Sequence, residues 1–216
     1  MDKEQMQKIG RSNVRRSKSH ERRIAHLLTE WTGEEFRRRR VEGRDSNVVD
    51  RESTADVIPA NKQIIFSIEA KCGECVSLDG MLANPKKNKW TVWWHQSCYD
   101  AIILSKALGK EIWPMMFFKP HPNFDWVAIA KEPFKRSILK SAKLPIYSSW
   151  SADYVIGSIE FPALSLDMFS WLGPIEHNVS QSKKNPVLKA IQLHPCYIMR
   201  WKDFAENIDP KSIFAD

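Results

Sequence analysis

Three side chains have the types and spacing to do chemistry together: Asp56, Glu69 and Lys71. They lie in Ala55-Asp56-Val57-Ile58-Pro59 and in Phe66-Ser67-Ile68-Glu69-Ala70-Lys71. Both segments are rich in β-branched and aromatic residues and read as strands. Alternate side chains of a strand share a face. Phe66, Ile68 and Ala70 then form an apolar face, and Ser67, Glu69 and Lys71 the opposite one. If the two strands form a hairpin, the Asp56 carboxylate lies beside that of Glu69. Two adjacent carboxylates repel unless a cation separates them. Oxygen ligands of this kind suit Mg²⁺, which binds through one or two carboxylates and keeps its waters and phosphate ligands. A lysine alongside offsets phosphate charge and positions water. These are the parts of metal-assisted phosphodiester hydrolysis. The same spacing also fits a plain solvent-facing hairpin with a Glu/Lys pair, so its context has to decide.

That context is a set of elements able to bring the three together. Ile24, Leu27, Leu28 and Trp31 recur at helical spacing and predict an amphipathic helix starting near Ser17, with Ser17 or Ser19 as cap. Gly33 follows its end, where a C′ glycine is expected. Glu21 falls on the apolar stripe of this helix. A carboxylate there needs a partner; a metal would serve, and so would the positive end of the helix macrodipole. Trp90–Leu108 predicts a second helix, stopped by Gly109. It carries Gln96 three residues after Trp93, on a face that continues through Asp100, Ile103 and Ala107. Glu35–Val41 reads as an edge strand. Glu111–Lys119 and Phe124–Ala130 read as strands joined by a Pro-His-Pro turn. Pro195–Arg200 is expected as a last strand and Trp201–Asn207 as a last helix. Residues 132–190 show no steady period, with Ala163–Leu172 expected as helix. The order α-β-β-β-α-β-β, then β-α, predicts an α/β domain with a mixed central sheet flanked by helices. The chain divides into a basic arm over 1–16, a core over 17–131 and a C-terminal elaboration over 132–216 that packs on the core.

With 216 residues and 43% hydrophobic composition, the chain can bury a substantial core, and wholesale disorder is excluded. No apolar run approaches the roughly 20 residues that span a bilayer. The polar, basic start does not resemble a signal peptide, and a cytoplasmic location is expected. The net charge of +7 is uneven. Residues 1–44 hold 13 Lys/Arg against 7 Asp/Glu, whereas the rest hold 20 against 19. A positive pole on a near-neutral body points to a polyanion, nucleic acid before membrane. Arg15, Arg16, Lys18, Arg37, Arg38, Arg39, Arg40 and Arg44 are the candidate DNA contacts. A charged edge strand that resists aggregation would explain the Arg37–Arg40 run equally well. Four cysteines in a chain this long are not a disulfide framework. Cys72, Cys75, His95 and Cys98 have the residue types of a zinc site, but spacing does not establish proximity, and Zn²⁺ is not expected. Nine tryptophans are more readily explained as core than as base-stacking platforms.

These motifs together resemble the PD-(D/E)xK nuclease superfamily, particularly the phage and archaeal Holliday-junction-resolvase-like enzymes. The resemblance covers roughly residues 15–130. It rests on Ser19-His20-Glu21-Arg22-Arg23-Ile24-Ala25, Glu35-Phe36-Arg37-Arg38, Ala55-Asp56-Val57-Ile58-Pro59, Ser67-Ile68-Glu69-Ala70-Lys71 and Trp93-Trp94-His95-Gln96. The resemblance implies a restriction-endonuclease-like fold with a core of order α-β-β-β-α-β. It implies that Asp56, Glu69 and Glu21 hold one or two Mg²⁺ ions, with Mn²⁺ as a substitute. Lys71 then serves the water, and Gln96 supports the site. Ala55 stands where the superfamily usually has proline, a position that varies. The implied activity is Mg²⁺-dependent hydrolysis of branched DNA by a homodimer in DNA recombination. Alternatives are a replication, repair or packaging nuclease acting on flaps or ends, and a catalytically silent DNA-binding module.

Overall fold

The computed structural model of the chain describes residues 3–39, 55–72, 89–121, 124–133, 147–148, 163–166, 194 and 196–214. Its centre is an eight-stranded mixed sheet of order β1-β2-β3-β4-β5-β8-β7-β6. The strands are β1 (Phe36–Arg38), β2 (Val57–Pro59), β3 (Phe66–Cys72), β4 (Trp113–His121), β5 (Phe124–Ala130), β6 (Tyr147–Ser148), β7 (Ala163–Leu166) and β8 (Cys196–Arg200). β1, β2 and β3 form an antiparallel meander. β3 and β4 are parallel, in register from Phe66↔Trp113 to Cys72↔Lys119. A parallel pair needs a crossover, and helix α2 (Lys89–Leu108) lies between these strands in sequence.

Strand alternation divides the sheet into two apolar faces. Phe66, Ile68, Met115, Phe117, Val127 and Ile129 pack with Ile24 and Leu28 of helix α1 (Lys3–Thr32). Trp201 and Phe204 of helix α3 (Trp201–Asn207) join the same core. Trp31 ties α1 to α3: its Nε1–H donates to the Ala205 carbonyl at 3.0 Å, and its ring meets Trp201 edge-on at 5.4 Å. On the opposite face, Trp90 of α2 stacks on Trp94 at 5.9 Å and meets Phe118 edge-on at 6.0 Å. Trp90 and Trp94 are fully buried, as expected for core tryptophans.

The short elements fall where turn chemistry puts them. Gly33 (φ 73°) and Gly109 (φ 64°) take the left-handed conformation just past the ends of α1 and α2. Two expectations need correction. The first helix begins at Lys3 rather than near Ser17, so residues 3–16 continue α1. The stretch lacks proline, and its few apolar residues, Met6, Ile9 and Val14, form no i, i+3, i+4, i+7 series, so apolar periodicity could not reveal it. The helix therefore has no start at Ser17 or Ser19; Ser17 instead donates its hydroxyl to Glu21 within the helix. Residues Ala163–Leu166 form strand β7, antiparallel to β8, where a helix was expected. The exposed edge of β8 supplies pairing that outweighs local helix preference. Among the described residues, no helix is long and apolar enough to cross a membrane.

Candidate active site

β3 is the strand that organises the site. Its α1-facing side chains are apolar and hold it in the core, so its alternate residues are driven to the α2 side. Glu69 is 1% exposed there. Asp56 stands just before β2, across from Glu69, because Val57 pairs with Ile68. Its backbone N–H donates to the Ile68 carbonyl at 2.9 Å, and its Oδ2 accepts from the Ala70 N–H at 3.0 Å. These two bonds fix the carboxylate at the β2–β3 boundary. Lys71 Nζ lies 2.6 Å from Glu69 Oε2 and 4.0 Å from Asp56 Oδ2. The ammonium thus occupies the space between the carboxylates, where a cation is needed.

Electrostatics at this cluster are strongly perturbed. Burial, reinforced by Asp56, pushes the Glu69 carboxyl up to about 8, with Lys71 opposing and Asp100 adding to the rise. Burial works against the Lys71 ammonium, but Glu69 and Asp56 outweigh it and raise its pKa above the ordinary lysine value. Glu69 and Lys71 are in direct contact, so the two titrate as a pair. Glu69 Oε1 is buried with no hydrogen-bond partner among the described residues. An unsatisfied buried acceptor costs about 1–3 kcal/mol, and such groups cluster where a ligand or catalytic task supplies the missing partner.

α2 adds two further groups. Gln96 is exposed and hydrogen-bonds Asp100 one turn on. Burial raises the Asp100 carboxyl to about 6; Lys71 opposes the rise, Asp56 adds to it, and the Gln96 bond opposes it again. Asp100 therefore belongs to the cluster, although no functional role was expected for it. The signal was present as the i, i+4 spacing from Gln96, but its meaning depends on α2 lying over β3.

Glu21 is placed differently. Its Oε1 accepts from Ser17 Oγ at 3.0 Å, and Arg38 Nε pairs with Oε2 at 2.5 Å. Arg38 belongs to β1, and the next residue, Arg39, donates its N–H to the Asp56 carbonyl at 3.0 Å. Glu21 is thus linked to the Asp56 strand through β1, while Asp56, Lys71 and Asp100 supply the charges that bear on Glu69. Among the described residues, no three His, Cys, Asp or Glu side chains gather into a ready-made metal cage. What the cluster offers is a carboxylate pair with one unpartnered oxygen. That donor set fits Mg²⁺, which completes its shell with waters and substrate phosphates.

A model of the family described as "phage putative PDDEXK endonuclease" matches residues 13–156, more than half of the chain. The chain belongs to that family. Neither the curated proteins nor the solved structures give a significant match. The matched span contains Glu21, Asp56, Glu69, Lys71, Gln96 and Asp100, so the cluster around β3 is the candidate active site of a PD-(D/E)xK nuclease. The mixed sheet with helices on both faces is the restriction-endonuclease-like architecture expected of such a protein. Superfamily membership carries the expectation of divalent-metal chemistry on DNA.

The remaining sequence candidates are dispersed in this nuclease. Cys72 faces α1, on the side of Ala70, whereas Cys98 is fully buried on α2 across the sheet. Burial drives the Cys98 thiol up to about 12, and that of Cys72 upward as well, so both are held as thiols. His95 is buried on α2, and Cys75 lies outside the described residues. Cys72 therefore does not join His95 and Cys98 in a zinc site. Arg15, Arg16, Lys18 and Arg37 are exposed; Arg38 and Arg39 are half-buried; Arg40 and Arg44 lie outside the described residues.

Proposed function

We propose that this nuclease is a Mg²⁺-dependent DNA endonuclease that cleaves branched DNA as a homodimer, in the manner of Holliday junction resolvases. The observation that carries the catalytic part is the buried, unpartnered Glu69 Oε1 beside Asp56, with Lys71 bridging the two carboxylates. Asp56 and Glu69 would hold the metal, with Glu21 reaching it only if its pairing with Arg38 opens. Mn²⁺ satisfies the same oxygen donors. When bound, the cation supplies Lewis-acid polarisation of the scissile phosphoryl group and neutralises its developing charge.

The chain's own groups do the rest. Lys71 remains an ammonium because two carboxylates face it. Its Nζ would donate a hydrogen bond to the attacking water and to a phosphate oxygen. Gln96, exposed on α2, can orient that water from the other side. The burial of Glu69 keeps bulk water from competing for its oxygens and strengthens each charge interaction. Arg37, exposed on edge strand β1, would meet DNA phosphates. A dimer with two such sites about one two-fold axis would suit the paired strands of a four-way junction.

The deciding experiment is a cleavage assay with Mg²⁺ on a labelled four-way junction, a flap, a linear duplex and single-stranded DNA. Wild type and Lys71→Ala are compared. Paired symmetric nicks in the junction, lost in the variant, are expected. Cleavage of flaps or ends instead would retain the site and remove the junction assignment. Tight DNA binding with no metal-dependent cleavage of any substrate would mark a silent binding module.

A further inference from the structure

Helix α1 is far longer than its contact with the core. Its 30 residues span about 45 Å at 1.5 Å per residue, but its buried side chains begin at His20. Of the described side chains in the preceding part, Val14, Arg15, Arg16 and Lys18 are exposed and Ser17 is half-buried. Residues 5–20 contain no Asp or Glu. Within the helix, Arg15, Lys18 and Arg22, all exposed, recur at steps of three and four. At 100° per residue they fall in one stripe about 60° wide, on the side of the helix away from Ile24 and Leu28. Arg16 lies off this stripe.

Such a stripe is unusual for a face that meets only water. Solvated helix faces commonly interleave opposite charges at i, i+4, because like charges at that spacing repel. Here Lys18 and Arg22 are an i, i+4 pair of like sign. The acidic side chain within the run, Glu21, is taken by Ser17 and Arg38. The run from Arg15 to Arg22 covers about 10 Å along the helix axis. One strand of a DNA duplex presents a phosphate about every 3.4 Å of axis. The stripe therefore matches the length of about three consecutive phosphates. Its core-side end lies beside Glu21, which β1 connects to Asp56 through Arg38 and Arg39.

We propose that Arg15, Lys18 and Arg22 form a substrate arm that lies along the phosphate backbone of duplex DNA flanking the scissile bond. The partner is the duplex part of the nuclease's own substrate, so the proposal rests on the nuclease reading. The arm supplies sequence-independent affinity and orients an incoming duplex toward the Asp56–Glu69 cluster. It touches no reacting atom.

The test uses the full chain with all three stripe residues changed to Gln, which keeps helix propensity and removes the repulsion. A control changes three exposed lysines elsewhere, Lys62, Lys106 and Lys202, to Gln, lowering net charge equally. Binding of a fluorescent 30-base-pair duplex is measured without divalent metal across a salt series, with helix content checked by circular dichroism. The log K against log salt slope is expected to flatten by about 2.5 units in the stripe variant, at roughly 0.9 per lost phosphate contact. It should change by less than one unit in the control. Equal flattening in both, or none in the stripe variant, would overturn the arm. The readout is binding, so a wild-type chain that binds through the stripe but cleaves nothing would sink the nuclease reading and leave the arm standing.

Discussion

At the scale of single residues, the site is a buried carboxylate that the fold holds at a cost. The Glu69 carboxyl is pushed up to about 8 by burial and by Asp56, against the pull of Lys71. Between the unfolded value near 4.5 and about 8, the folded protein binds more protons than the unfolded chain. The Glu69 contribution to metal-free stability therefore falls as pH rises through that window. Metal binding must displace the retained proton. Titration of Mg²⁺ or Mn²⁺ at pH 7, in buffers of different ionisation enthalpy, should show proton release and an affinity that climbs toward pH 8. A pH-independent affinity with no proton release would refute metal ligation by Glu69. Lys71→Ala should lower cleavage by about 10²–10³-fold, as loss of a preorganised donor does. Asp100→Asn tests the residue revealed by the packing of α2. It should lower cleavage about 10- to 100-fold, as loss of a group supporting a metal site does, with DNA affinity unweakened. Unchanged turnover would remove Asp100 from the machinery.

At the scale of elements, the strand–helix pair β8–α3 holds the site's scaffold together. β8 pairs with β5, and α3 covers the α1 side of the sheet. Phe204 is fully buried there, 5.2 Å from the Trp31 ring and 5.5 Å from Trp201. Phe204→Ala should cost about 3–5 kcal/mol in urea unfolding, the usual range for an aromatic removed from a core. A loss under 1 kcal/mol would mean that α3 is not integral to the core. The last residues also fasten β3: the Ile65 N–H donates to Ile213 at 3.0 Å, and Trp113 donates to Ile65 at 2.7 Å. The strand that carries Glu69 and Lys71 is therefore anchored from the end of the chain.

At the scale of the whole molecule, the family match and the folding unit differ in extent. The match ends at residue 156, but β8 and α3 lie beyond it and complete the sheet and its core. A fragment of residues 13–156 would leave the β5 edge unpaired and Trp31 and Phe117 without their α3 partners. Unpaired edges over apolar faces aggregate. The fragment should be insoluble or lack a cooperative thermal transition, which calorimetry would reveal. A sharply melting, soluble fragment would show that the C-terminal elements are dispensable. The charge asymmetry also acts at this scale: the excess lies in the first 44 residues, on and just after α1, rather than on the body.

Sequence periodicity and spacing were enough to predict the mixed sheet, both long helices at their glycine ends, and Asp56, Glu69 and Lys71 as a group. Each is a local signal: a period of two or 3.6, a φ that favours glycine, or alternation along a strand. Packing decided what local signals cannot carry. It paired β7 with β8 against helix preference and brought Asp100 to Lys71 by laying α2 over β3. It put Cys72 and Cys98 on opposite faces of the sheet and gave Glu21 to Arg38. Contacts between segments far apart in sequence depend on which faces are buried against each other, and that is settled only when the whole core closes.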